Sequence, residues 1–356
     1  MPDLCQAITN LRSLSTGEAG ERCLIGALRG VGICISRAKV REAVRILDPF
    51  PVPQRWRTTL QRRVYYVPFV NSLWHLDGHH KMIRWRIVIH GCIDGKSRLV
   101  TFLRAHGDNT AQSVARAFDN AVTKWGLPSR VRADYGGENL GVKARMEAQR
   151  GIGRASFIQG SSTHNQRIER LWVDLQRLTT AKYKAVFEHL EAQRLLDVTN
   201  PVHLWALHFT FLPQLNRALD HFSDMWNHHP IRTPGLLNRS PMQLRAEGLL
   251  DAQRRGVDIL GAGSVDDHAI LQEGLRDFAE YGIETTGQPR DPLPSDPHVH
   301  IDAIDHLIPA SLRSPALQVE WRRALAPSWP PAADFGIGRY ATLLGLIRQH
   351  LDREFT

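Results

Sequence analysis

Residues 86–103 read RIVIHGCIDGKSRLVTFL. Two runs of β-branched and other apolar residues flank Asp94-Gly95, a pair that favours a tight hairpin turn between antiparallel strands. We therefore assign Asp94 to the turn and not to a ligand site. The preceding stretch 72–78, SLWHLDG, is partly apolar and predicts one more strand. Together these segments predict the first strands of a sheet.

Helices and a further strand follow the hairpin. Residues 110–125 carry apolar side chains at helical spacing, and Gly126-Leu127-Pro128 ends that helix. A short strand is predicted at 130–133 and a second helix at 164–180. The apolar stripe of the second helix comprises Ile168, Leu171, Leu175 and Leu178. The order predicts an α/β fold with a mixed sheet flanked by helices.

Three acidic residues occur where such a sheet would bring them together. Asp77 is predicted at the end of the first strand, Asp134 just beyond the strand 130–133, and Glu169 on the second helix. Sites in open α/β sheets form outside the carboxyl ends of strands. Two divalent ions held by carboxylates can clamp the attacking and leaving oxygens of a phosphodiester. The pattern predicts that Asp77, Asp134 and Glu169 are the catalytic and metal-binding residues, with Glu138 a weaker candidate.

Four phrases carry a resemblance to a known family: WHLDGHHK (74–81), HGCIDGKSRLV (90–100), GLPSRVRADYGGEN (126–139) and STHNQRIERLW (162–172). Together they resemble the integrase core family of retroviral and retrotransposon integrases, and most closely a subgroup resident in eukaryotic genomes. Thirty-five positions separate Asp134 from Glu169, close to the limited spacing of that family. The resemblance is strongest over about residues 70–180 and continues weakly through WNHHPIRT and SPMQL.

This resemblance implies an RNase H-like fold and a DDE triad that binds Mg²⁺ or Mn²⁺, as two ions. It also implies DNA as a partner, a homo-oligomeric assembly, and metal-dependent cleavage and joining of DNA strands. Asn165 stands one helical turn before Glu169, on the face that meets DNA in the family. Arg167 and Arg170 are predicted to contact phosphates, although a solvated helix face is an equal alternative.

The N-terminal residues 1–48 predict a helical segment. Helices at about 21–29 and 36–47 flank Gly30-Val31-Gly32, which is the pattern of a helix-turn-helix. The basic residues of the second helix are predicted to contact DNA; they are Arg37, Lys39, Arg41 and Arg45. A generic helical hairpin with a solvated basic face is the alternative.

The remaining boundaries follow from composition. Residues 49–70 predict a basic linker or an arm packed on the core, and 71–185 predict the integrase-like core. Post-core helices are expected over 186–250, with a break at Pro213. The C-terminal region 251–356 is expected to be partly irregular and to end in one closing helix.

Composition restricts the partners. The chain has 356 residues and a net charge of +9, from 45 Lys and Arg against 36 Asp and Glu. A basic balance favours a polyanion such as DNA, and from a DNA role we expect nuclear localisation. No segment is apolar for long enough to predict a membrane span. The cysteines lack zinc-binding spacing, and four histidines (His75, His79, His80 and His164) are expected to be exposed or core residues and not zinc ligands.

Two functions remain open from the sequence. The first is an active DNA strand-transfer enzyme or a nuclease on the same fold. The alternative is a host-retained, integrase-derived DNA-binding protein without catalytic activity, since a triad can persist without its substrate. A helix-turn-helix regulator whose core is only a scaffold is a weaker third possibility.

Overall fold

The computed structural model describes residues 2–13, 28, 33, 35–47, 65, 67–160, 165–231, 238–257, 300–326 and 334–354. The chain divides into two compact units. The first comprises residues 1–63 with 285–288, and the second comprises the rest of the chain.

The first unit contains two described helices, α1 (Pro2–Ser13) and α2 (Arg37–Leu47), which pack together. Their contact is apolar and involves the buried side chains of Leu4, Ile8, Leu28, Val40 and Ala43. Helix α2 confirms the predicted second helix, whereas α1 was not predicted. The predicted turn at 30–32 and nearly all of the helix at 21–29 lie outside the described residues, so the helix-turn-helix stays a prediction.

The second unit is built on a five-stranded mixed sheet. Its strands are β1 (Leu73–Met82), β2 (Ile87–Asp94), β3 (Val100–His106), β4 (Arg130–Ala133) and β5 (Phe157–Gln159). The spatial order is β3-β2-β1-β4-β5, with β1 to β3 antiparallel and with β4 and β5 parallel to β1. Helices cover both faces. This is the RNase H-like arrangement that the sequence predicted.

Helices α3 (Ala111–Trp125) and α4 (Leu140–Arg150) pack together and enclose one apolar cluster of the sheet. The threonine before α3, Thr110, caps it by accepting a hydrogen bond from the backbone N–H of Ser113. Helix α4 and strand β5 were not predicted. The glycines on either side of them and the three-residue length of β5 leave little periodicity to detect.

The other face of the sheet packs against α5 (Gln166–Leu175), α6 (Ala181–Ala192) and α7 (Pro201–His228). A π-helical turn over Gln176–Thr180 joins α5 to α6. The extra residue per turn shifts the register, so Leu178 is half-exposed where the sequence predicted a core position, and Thr179 and Thr180 are buried in its place. The predicted core boundary at residue 185 falls inside α6.

The predicted break at Pro213 was wrong, because α7 continues through it. A proline in a helix interior removes one hydrogen bond and costs about 3 kcal/mol. The side chains on both sides of it, Phe211, Gln214 and Leu215, are completely buried. The burial of Phe211 and Leu215 in the main apolar cluster outweighs the loss.

Further helices complete the second unit: α8 (Pro241–Arg254), α9 (Pro315–Ala324) and α10 (Ile337–Glu354). Helix α10 is the predicted closing helix. At the other end, Val67, Phe69 and Val70 are buried, so the last residues of the predicted linker pack on the core as the alternative proposed. Over the described residues, no helix combines the length and apolar character that crossing a bilayer requires.

Candidate active site

The register of two parallel strands aligns the first two acidic residues. Strand β1 pairs with β4 so that His75 lies beside Arg132. Asp134 is one residue beyond the end of β4, and a continuation of that register by two residues would place it beside Asp77, on the same face. Asp77 lies in the middle of β1 and not at its end, because pairing with β2 continues beyond it through Gly78 and His79.

A short turn fixes the carboxylate of Asp134. Its Oδ1 accepts hydrogen bonds from Asn139 Nδ2 at 2.7 Å and from the backbone N–H of Gly136 at 3.2 Å. Asn139 is buried at the start of α4. The second bond makes an Asx-type turn. Asp134 is therefore held through one oxygen, at the point where β4 ends.

A buried asparagine ties the start of α5 to β1. Asn165 Nδ2 donates to the carbonyl oxygen of Leu76 at 2.7 Å, and its Oδ1 lies 2.7 Å from His75 Nδ1. Both contacts are to the two residues that directly precede Asp77. The bonds therefore fix the first turn of α5, with Glu169 on it, over the strand that carries Asp77.

The histidine in this clamp is neutral and is held on both sides. Burial lowers the pKa of His75 to about 3. Its Nδ1 must donate to Asn165 Oδ1, so its Nε2 accepts from the hydroxyl of Tyr65 at 2.8 Å. The guanidinium of Arg167 lies 3.9 Å from the centre of the Tyr65 ring. The clamp thus extends from Tyr65, which precedes β1, to Arg167 in the first turn of α5.

The third acidic residue is solvent-accessible on α5. The buried side of that helix is formed by Ile168, Leu171 and Leu175, which are completely buried against the sheet. Glu169 lies beside this stripe, and partial desolvation raises its pKa.

A tryptophan on the same helix contacts Asp77 directly. Trp172 Nε1 donates a hydrogen bond of 2.7 Å to Oδ2 of Asp77. Its ring lies 5.2 Å from that of His79, centre to centre. Gly91 stands opposite Asp77 in β2, and a Cβ there would come within 2.6 Å of the indole. Gly91 therefore makes the space in which Trp172 reaches the carboxylate.

The pKa of Asp77 depends on the other two acidic residues. Burial, which is the largest cause, and the negative charges of Asp134 and Glu169 together raise the pKa of Asp77 to about 7. The hydrogen bond from Trp172 acts in the opposite direction. A negative charge close to a carboxyl group disfavours its ionisation and so raises its pKa. The three acidic residues therefore share one electrostatic environment.

The donor set fits a divalent cation that prefers oxygen. Two carboxylates are fixed through one oxygen each, by Trp172 and by Asn139. Among the described residues, however, no group of three or more His, Cys, Asp or Glu side chains is gathered closely enough to hold a metal ion. Mg²⁺ needs only one or two carboxylates when water and substrate phosphate complete its shell, so an open arrangement is compatible with it.

The predicted DNA contacts are placed differently. Asn165 is 2% exposed and its amide hydrogen-bonds to β1, so it does not lie on an exposed face of this structure, and its contact with DNA stays a prediction. It precedes α5, whose first residue is Gln166, and turns inward. Arg167 is half-buried over Tyr65, whereas Arg170 is exposed and 3.4 Å from Asp174.

The basic residues of α2 are exposed, as a DNA-contacting face requires; they are Arg37, Lys39, Arg41 and Arg45.

The residues that the sequence left as weak or rejected ligand candidates are mostly buried. Glu138 is 8% exposed, and its carboxylate lies against Gly136. His75 and His79 are buried core residues, and His164 lies outside the described residues. Asp94 is buried and accepts hydrogen bonds from Asn71 and Ser97, consistent with its assignment to the turn.

The sequence did not single out Trp172, Asn139 or Tyr65. Trp172 has the clearest signal, since it follows Glu169 by three positions and therefore lies on the same helical face. Tyr65 had no detectable signal, because it lies before β1 in a segment without periodicity and its partner His75 is ten positions away.

Comparison with known proteins identifies similar domains. Residues 64–258 match a family model described as the integrase core domain. Among solved structures, the trimeric form of the HTLV-2 integrase catalytic core domain in complex with magnesium is 16% identical with a TM-score of 0.34. The match covers 50% of this chain and 97% of the HTLV-2 chain. The BIV integrase catalytic core is 15% identical with a TM-score of 0.35, over 51% and 99%.

A simian T-cell lymphotropic virus intasome, in complex with the PP2A regulatory subunit B56 gamma, is 15% identical with a TM-score of 0.34, over 67% of this chain and 74% of that chain. No curated protein sequence matches the chain.

Proposed function

The chain belongs to the integrase core domain family, and on this premise we propose that it cleaves and joins DNA strands by metal-dependent phosphoryl transfer. In this proposal Asp77, Asp134 and Glu169 hold Mg²⁺ or Mn²⁺, as two ions. The observation that carries the proposal is geometric: the bonds of Asn165 and Trp172 fix the helix that bears Glu169 on the strand that bears Asp77, and β4 leads into Asp134 beside that strand. The raised pKa of Asp77, to which the charges of the other two acidic residues contribute, agrees with this placement. Clustered carboxylates repel one another, and a bound cation relieves this repulsion.

The residues of the chain have distinct tasks in this proposal. Trp172 and Asn139 orient the carboxylates of Asp77 and Asp134. The clamp of Asn165 and His75 holds the helix that bears Glu169. Metal ions, when bound, would polarise the phosphodiester and stabilise the attacking and leaving oxygens.

DNA binding is proposed to rest on exposed cations. Arg170 lies one residue from Glu169 and is open to solvent, so it can contact a phosphate beside the site. The exposed arginines of α2 supply a second candidate contact, and the net charge of +9 favours both. Family membership also favours a homo-oligomer, which sedimentation of the purified chain would test.

A second candidate is an integrase-derived DNA-binding protein that does not cleave DNA. The observation in its favour is that the described residues contain no gathered group of three metal-ligating side chains. In that case the acidic residues would be a remnant and the basic surfaces would act alone.

The two candidates are separated by incubating the protein with supercoiled and linear DNA in Mg²⁺ or Mn²⁺. We expect metal-dependent nicking or joining in the wild type and none in Asp134→Asn. Glu188→Gln, an exposed acidic residue on α6 that pairs with Lys184, is the matched control and keeps full activity. DNA binding without any cleavage by the wild type favours the second candidate. Equal cleavage by the wild type and Asp134→Asn excludes the assigned mechanism.

A further inference from the structure

Tyr135 follows Asp134 directly and is 64% exposed. Among the described residues it is the one Phe, Tyr or Trp side chain that is largely exposed. Aromatic side chains usually contribute their large area to cores and interfaces. This exposed ring next to a candidate catalytic carboxylate is therefore available to a ligand that binds there.

The backbone fixes this ring at the tip of a turn. Asp134 Oδ1 accepts from the N–H of Gly136, which leaves Tyr135 as the central residue between them. Beyond it, a Cβ built on Gly137 meets no atom within 4 Å. The space in front of the turn is open, and Leu140, at the start of α4, adds a second side chain that is 55% exposed.

We propose that Tyr135 stacks on an unpaired DNA base next to the phosphodiester that the acidic residues engage, an inference that rests on the proposed function. A nucleotide whose phosphate reaches Asp134 brings its own base, or the adjacent base, within reach of the neighbouring side chain. In a duplex both faces of each base are covered by its neighbours, so the ring can stack only on a frayed or single-stranded end. Stacking tolerates every base, since each has a π face.

The proposal is tested by DNA binding without metal, so that catalysis plays no part. The DNA is a blunt duplex and the same duplex with a short single-stranded end that carries 2-aminopurine, in buffer with EDTA. Affinity is measured by fluorescence anisotropy, and stacking by quenching of the 2-aminopurine. The variants are Tyr135→Ala, Tyr135→Phe and the control Ile152→Ala, which removes an 85% exposed side chain beyond the far end of α4.

We expect Tyr135→Ala to weaken binding of the single-stranded end by roughly 5- to 150-fold, the range of base–aromatic stacking, and to abolish the quenching. Tyr135→Phe keeps both, because the ring and not the hydroxyl makes the contact. The affinity of Tyr135→Ala for the blunt duplex stays near that of the wild type. The control Ile152→Ala keeps wild-type affinity for both DNAs.

Equal affinity of Tyr135→Ala and wild type for the single-stranded end overturns the stacking role while DNA binding itself stands. Loss of binding in Tyr135→Phe also overturns it, in favour of a hydroxyl contact. A wild type that binds neither DNA removes the proposed function and this inference together.

Discussion

Trp172 donates its indole N–H to Oδ2 of Asp77 at 2.7 Å, across the interface between α5 and β1. The bond joins the helix that carries Glu169 to the strand that carries the first acidic residue. It also opposes the rise in the Asp77 pKa that burial causes. One side chain therefore contributes to both the position and the ionisation of Asp77.

Trp172→Phe keeps an aromatic ring, although a smaller one, and removes the hydrogen bond. Since that bond lowers the pKa of Asp77, its loss raises the pKa, by about one pH unit for a bond to a charged group. We expect the pH at which Mn²⁺ binding is half-maximal to move upward by that amount. Trp205→Phe is the control, because Trp205 donates an equivalent bond to Asp305, away from the acidic residues. An unchanged pH profile in Trp172→Phe would exclude this role.

Gly91→Ala tests the space that Trp172 occupies. The new methyl group would lie 2.6 Å from both Trp172 and Leu103, and neither has room to withdraw in the core. We expect overpacking to cost about 1–3 kcal/mol and strand transfer to fall, as measured by urea unfolding and a DNA-joining assay. Gly345→Ala, on α10 with nothing within 4 Å, should stabilise the protein slightly. Equal stability of Gly91→Ala and wild type would contradict the predicted clash.

Asn165→Ala separates positioning from DNA contact. The variant leaves the carbonyl of Leu76 and the imidazole of His75 without their partner, which costs about 1–3 kcal/mol for a buried group. We expect cleavage to fall at least tenfold while DNA affinity, measured by anisotropy in EDTA, stays within twofold. A matching loss of affinity would mean that Asn165 touches DNA after all.

Asp77→Asn tests the raised pKa through stability. In the unfolded chain the carboxyl group has its ordinary pKa near 3.8, whereas in the folded protein it is about 7. The folded state therefore keeps a proton that the unfolded state has lost, and the wild type loses stability as the pH rises from about 4 to 7. Asn accepts the same bond from Trp172 without a charge.

The melting temperature of metal-free Asp77→Asn should thus exceed that of the wild type by an amount that grows over this window and is constant above it. Each kcal/mol corresponds to about 2–4 °C. Glu188→Gln should show no such gap. A gap that is the same at pH 4 and pH 8 would exclude the elevated pKa.

Much of the fold could be predicted because its signals are local. The strand at 130–133 and the hairpin around Asp94 follow from β-branched runs and a turn pair, and the structure confirms both. The grouping of Asp77 with Asp134 could be predicted because their strands are neighbours, although Asp77 lies in the middle of β1 and only Asp134 follows a strand end. The space that Trp172 occupies depends on Gly91, which is remote in the chain. No local sequence pattern therefore predicts this contact.

Two differences between the predicted and the observed helices share one physical cause, which is that spacing along a helix does not say where the helix begins or how regular it is. Asn165 precedes the first turn of α5 and points inward. Leu178 falls in a π-helical turn, where the 3.6-residue period does not hold. Both assignments rested on regular α-helical geometry.

The central claim is that Asp77, Asp134 and Glu169 act together as one divalent-metal site. Its most direct test is titration of Mn²⁺ into the wild type, Asp77→Asn, Asp134→Asn and Glu169→Gln at pH 8, with free Mn²⁺ followed by electron paramagnetic resonance and Glu188→Gln as control. We predict that the wild type and the control bind Mn²⁺ equally and that each of the three substitutions weakens binding at least tenfold. Unchanged Mn²⁺ affinity in any one of the three would contradict the shared site.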